Sequence, residues 1–149
     1  MKNLIPFLLA ALIISCQKTD ELTYTEKRVV GSWFFTNVDF YPRWSLKEDI
    51  TGDYFGQKMT FKDDFSFEFE NTLTGQVSQG VWQVNQVQSF NSANGNGNGQ
   101  WSDQLVISYT DSTNTIIQEV WDNIYVTKNM LNGDNLVKDG HYQYQLKRF

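Results

Sequence analysis

Val29-Val30-Gly31-Ser32-Trp33-Phe34-Phe35-Thr36-Asn37-Val38-Asp39-Phe40-Tyr41 decides the fold. Aromatic and β-branched residues crowd this run, which has no helical periodicity and ends at Pro42, so it predicts a β-strand that needs a partner surface. Taken as a strand over residues 30–40, it places Gly31, Trp33 and Phe35 on one face and Phe34, Thr36, Val38 and Phe40 on the other. The residues downstream supply the partner strands. Met59 and Phe61 alternate with polar neighbours, Asp63-Asp64 make a turn, and Phe65, Phe67 and Phe69 then alternate with Ser66, Glu68 and Glu70, which is a hairpin pattern. Gly80, Trp82 and Val84 share one face of a strand over residues 76–87, and Leu105, Ile107 and Tyr109 mark the next. Residues 116–126 form another, with Trp121-Asp122-Asn123-Ile124 breaking the alternation as a bulge would. Residues 129–137 leave room for a short strand at Met130-Leu131 and a turn at Gly133-Asp134. Tyr142, Tyr144 and Leu146 close the series. Short strands at regular spacing predict an all-β, up-and-down antiparallel barrel of about eight strands, with an open sandwich as the alternative.

Upstream of that strand, Thr23 and Glu26 have the spacing of a capping box, which predicts a short helical turn through Arg28 plugging one end of the barrel. Two connections are long. Residues 43–56, with Trp44, Ile50 and Phe55, can fold over a barrel mouth or meet a partner; residues 89–100 carry an Asn-Gly repeat with nothing to bury.

The chain has 149 residues, of which 40% are hydrophobic and 15% aromatic, enough for one sizeable core and too few for two ordinary domains. Its net charge of −5 removes the electrostatic attraction on which nucleic-acid binding depends. DNA and RNA are thereby excluded as expected partners.

Residues 1–15 have a basic start at Lys2, an apolar run from Leu4 to Ile14 interrupted by Pro6, and a small residue, Ser15, before Cys16. That is the layout of an export signal, and the run is about half of the ~20 residues that a spanning helix needs. Losing Lys2 with it leaves 11 bases against 17 acids, a net charge of −6. Cys16 is the only cysteine, so no intramolecular disulfide can form. The domain reading is therefore a signal peptide over residues 1–15, an anchor and tether with the helical turn over 16–27, and a barrel over 28–149.

Ile13-Ile14-Ser15-Cys16 resembles the lipobox of bacterial lipoproteins, which implies that Cys16 is acylated (palmitate among the chains) and heads the mature protein. At about 0.8 kcal/mol per buried methylene, several acyl chains make a permanent anchor. Gln17-Lys18-Thr19-Asp20-Glu21 resembles the signal that follows the lipidated cysteine in surface lipoproteins of Bacteroidota, with Thr19 interrupting it, so the implied location is the outer membrane, on either side. The order of Gly31-x-Trp33, Phe65-x-Phe67-x-Phe69, Gly80-x-Trp82, Leu105-x-Ile107 and Tyr144-x-Leu146-x-Arg148 resembles the lipocalin-like lipoproteins of Bacteroidota. The resemblance implies that Gly31 and Trp33 pack the closed end of the barrel and that Arg148 covers Trp33.

Catalytic constellations are missing. His141 is the only imidazole, Cys16 the only thiol, and Asp63-Asp64 and Asn132-Gly133-Asp134-Asn135 read as turn chemistry rather than calcium loops. No enzyme, metal site or cofactor is expected. Glu68 and Glu70 fall on the solvent face, whereas Glu119 shares the parity of Ile117 and Trp121 and points inward. The candidate ligand-binding residues are Trp82, Glu119, Trp121, Tyr142 and Tyr144. The expected function is binding of a small apolar or amphipathic molecule by a lipid-anchored barrel. The alternative is a filled barrel acting as an interaction module, an accessory subunit or inhibitor, through its long loops.

Overall fold

The computed structural model describes residues 21–89 and 100–149. The leader, Cys16 and the Asn-Gly tract lie outside the described residues. After the helix α1 (Tyr24–Val29) come the strands β1 (Gly31–Pro42), β2 (Glu48–Asp49), β3 (Gln57–Phe61), β4 (Ser66–Asn71), β5 (Gln76–Ser89), β6 (Gln100–Thr110), β7 (Ile116–Val126), β8 (Met130–Val137) and β9 (Gly140–Arg148), with a 3-10 turn at Thr51–Tyr54. β1 and β3 to β9 pair antiparallel in order, and β9 returns to β1, so eight strands close a barrel. The ninth strand, β2, adds two residues to the edge of β1 beyond the point where β3 leaves it. Closure is what a sheet this apolar on one face requires, because it removes both unpaired edges.

Inside the barrel sit Trp33, Val38, Met59, Phe61, Phe67, Trp82, Leu105, Ile107, Trp121, Leu131, Tyr144 and Leu146, all buried. Trp33 and Phe35 face the same interior as Val38 and Phe40, which strict alternation forbids. The reason is a bulge: Phe35 pairs with Leu146 and Asn37 with Gln145, leaving Thr36 as the extra residue, exposed. A similar slip in β7, between Asp122 and Tyr125, accommodates the broken alternation there, with Asn123 at φ +52°.

One predicted turn is absent. Gly133-Asp134 lies inside β8, where Gly133 pairs with Tyr144, and the chain reverses instead at Lys138-Asp139, between the paired Val137 and Gly140. Gly133 serves space rather than turning, since a Cβ there would stand 3.2 Å from the side chains of Trp121 and Ile124. Phe65 also falls outside its expected strand: it occupies the turn at φ +63°, with its ring against Trp82.

The two ends of the barrel differ. At one, the capping box forms: the Thr23 hydroxyl accepts from Glu26 N, and the Glu26 carboxylate accepts from Thr23 N at 2.8 Å. α1 lies against β5 and β7 with Glu26 and Val29 buried, and the Val29 carbonyl accepts from the Trp33 indole N–H at 2.8 Å. Arg148 lies over the Trp33 ring, 4.3 Å from its centroid, and donates to the carbonyls of Arg28, Val30 and Lys128. Gly31, at φ +138°, leaves the space that the guanidinium fills. This end is shut. The connection over residues 43–56 lies at the other.

Candidate functional site: an aromatic cavity at the open end

Opposite the helix, the barrel holds a cavity of about 380 Å³ walled by Phe35, Ile50, Asp53, Tyr54, Gln57, Met59, Phe69, Tyr109, Glu119, Tyr142 and Tyr144. Its lining is mostly aromatic, with Phe35, Tyr54, Phe69, Tyr109, Tyr142 and Tyr144 around it. Each wall has a local cause. The Thr36 bulge aims Val38 and Phe40 inward, and Phe40 props the Tyr142 ring at 4.7 Å. Tyr144 is fixed between Trp121, stacked at 4.5 Å, and Phe35, edge-on at 5.8 Å. The connection over the mouth contributes Ile50, Asp53 and Tyr54. It is tied down where the Thr51 hydroxyl accepts from Val38 N and donates to Asp49, and where the Ile50 amide donates to the Val38 carbonyl.

Glu119 is the one carboxylate deep in this space. Its Oε1 accepts from the Tyr109 hydroxyl at 3.0 Å and its Oε2 from the Trp121 indole N–H at 2.9 Å. β7 places it there by pairing Glu119 with Ile107 and Trp121 with Leu105, both interior positions of β6. Burial first, and then the negative charge of Glu119, hold the Tyr109 and Tyr144 hydroxyls far above the ordinary tyrosine range, and burial raises that of Tyr54. All three therefore stay neutral. The Tyr54 and Tyr144 rings meet edge-on at 5.9 Å, which ties the mouth segment to β9.

Of the residues chosen from the sequence as ligand contacts, Glu119, Tyr142 and Tyr144 line the cavity, and Trp121 lies beneath it as a fully buried floor. Trp82 stands elsewhere. It packs in the closed half against Phe61 and Phe65 and donates its indole N–H to the Lys62 carbonyl at 2.9 Å. Parity on β5 put Trp82 correctly inward, but depth along the barrel depends on the stagger of neighbouring strands, which parity does not encode. Tyr109 could have been found by its shared parity with Leu105 and Ile107. Tyr54 could not, because it lies in a segment without strand alternation. The strand ends that flank the other long connection, Ser89 and Gln100, pair at the helix-capped end, where Thr25 also donates to Asp103 at 2.6 Å.

His141 stacks on Tyr41 at 4.6 Å, away from the cavity walls, and Glu68 and Glu70 pair with Lys62 and Lys58. Among the described residues no group of three or more His, Cys, Asp or Glu side chains is placed to hold a metal ion, and no helix is long and apolar enough to cross a membrane. No family model, curated protein or solved structure matches the chain, so the cavity's geometry and chemistry carry the functional argument.

Proposed function

We propose that this chain is a non-enzymatic, lipid-anchored envelope protein of the lipocalin-like kind, held in the outer membrane through Cys16, and that its barrel binds one small apolar or amphipathic molecule. The observation that supports binding is the cavity itself. One end of the barrel is packed shut by Trp33, Arg148 and α1, while the other keeps about 380 Å³, within the usual size of small-molecule sites, lined by aromatic surface and a few fixed polar groups. A barrel needed only as a scaffold has no use for that space, since packing it would add stability.

Trp121 lies under the cavity floor and makes intrinsic fluorescence a direct readout. Titration with small aromatic alcohols should give a saturable change in indole emission that Trp121→Phe diminishes and Ile50→Trp, which crowds the mouth, abolishes when binding is followed by calorimetry. Failure of every compound to saturate would remove the binding reading. The interaction-module reading has its own support, in Trp44 and Leu46, which stand 91% and 85% exposed on the connection beside the mouth. A change of the Trp44→Ala, Leu46→Ala double variant from associated to monomeric in sedimentation would favour it.

A further inference from the structure

We infer, resting on the binding reading above, that the cavity selects an organic cation: an amine or other nitrogen cation carried on a small apolar body, with its charged end at Glu119. The lining contains two carboxylates, Glu119 in the interior and Asp53 at the mouth, and no lysine, arginine or histidine. Six of the eleven lining side chains are aromatic. Carboxylate and aromatic rings are the groups that replace water around a nitrogen cation, the first by charge and hydrogen bonding and the second through the negative faces of the rings.

The hydrogen-bond inventory of Glu119 agrees. A carboxylate offers about four acceptor sites, and Tyr109 and Trp121 occupy one on each oxygen. Acceptor capacity remains for an incoming N–H donor, and no cationic side chain lines the cavity to compete for it. The nearby tyrosine hydroxyls are neutral, so nothing in the lining offsets the negative charge of Glu119. An anionic ligand would have to bring a second negative charge beside it with no counter-ion in the lining, which excludes fatty acids and other carboxylates of suitable size. Neutral ligands fit the apolar walls but leave the charge of Glu119 unanswered.

A matched set of probes isolates this claim: phenylethylammonium, 2-phenylethanol and phenylacetate share one body and differ in charge. Calorimetric titration of the purified full chain in a non-ionic maltoside detergent should show the ammonium binding at least tenfold more tightly than the alcohol, with phenylacetate not saturating. Glu119→Gln should remove that tenfold preference, and Asp53→Asn, at the exposed rim, should weaken the ammonium by about two- to threefold. Saturable alcohol binding retained by the Gln variant shows that its cavity is intact. Should that variant fail to fold, the ranking of the three probes on the unmodified chain decides alone. Equal affinity for ammonium and alcohol, or tighter binding of phenylacetate, overturns the cation inference while the cavity remains a binding site. Saturation by none of the three overturns both.

Discussion

Arg148 and Trp33 show how few groups shut one end of the barrel. The guanidinium covers the indole ring and at the same time satisfies three main-chain carbonyls, those of Arg28, Val30 and Lys128. Trp33 is fully buried and spends its one donor on Val29. Truncating Trp33 to alanine should therefore cost about 3–5 kcal/mol in chemical denaturation, from lost apolar burial and the void left behind. Arg148→Ala should cost about 2 kcal/mol, because carbonyls held by a charged donor lose it together with the ring contact. Arg148→Lys should recover little of this, since an ammonium cannot reproduce a planar fork that reaches three acceptors. An unchanged denaturation midpoint for Trp33→Ala would place it outside the core. Gly80 lies at the same scale: a Cβ there would run into the Ser108 carbonyl of β6, so even alanine is excluded.

Among the elements, β1 is the one whose irregularity matters most. Its bulge lets a single strand point Trp33 inward at the closed end, Phe35 into the cavity wall, and Val38 and Phe40 inward beyond it. Thr36 itself is exposed and its hydroxyl donates to the Gln145 carbonyl at 3.1 Å. The presence of a residue at this position should thus matter more than its identity. Thr36→Ala should stay within about 0.5 kcal/mol of the parent in thermal or chemical unfolding. Deleting Thr36 should abolish the cooperative transition, because every side chain beyond it would change faces and take Val38 and Phe40 out of the interior. A deletion variant that unfolds like the parent would mean that the strand slips freely and that the bulge does not hold the register.

For the whole molecule, closure of β9 onto β1 makes each strand's position depend on all the others, and loops that do not enter the core should be free to change. Replacing residues 93–99 by a two-residue turn should leave the thermal midpoint nearly unchanged, since β5 and β6 are already paired at Ser89 and Gln100 and halving a loop alters closure by only about 0.6 kcal/mol. Loss of folding would show that the tract packs against the barrel. Attachment is a separate matter. Growth with a fatty-acid analogue should label the wild-type chain and leave Cys16→Ala unlabelled, and equal labelling of both would end the anchor proposal.

What the sequence by itself determined was the eight barrel strands, the capped helix and the inward parity of most core residues, because alternation, capping and turn chemistry are local properties carried by neighbours in the chain. Glu119 was legible for the same reason: it shares a face with Trp121 two residues on. Tertiary structure alone decided the rest. Gly133-Asp134 looks like a turn until its strand is seen threaded past Trp121, and Phe35 looks opposite to Val38 until β9 reveals the extra residue between them. Depth along the barrel axis, which separates Trp82 from the cavity and brings Tyr54, Tyr109 and Glu119 together around it, follows from the stagger of eight strands closing on one another. That stagger is a sum over every pairing in the ring, so no single stretch of the chain records it.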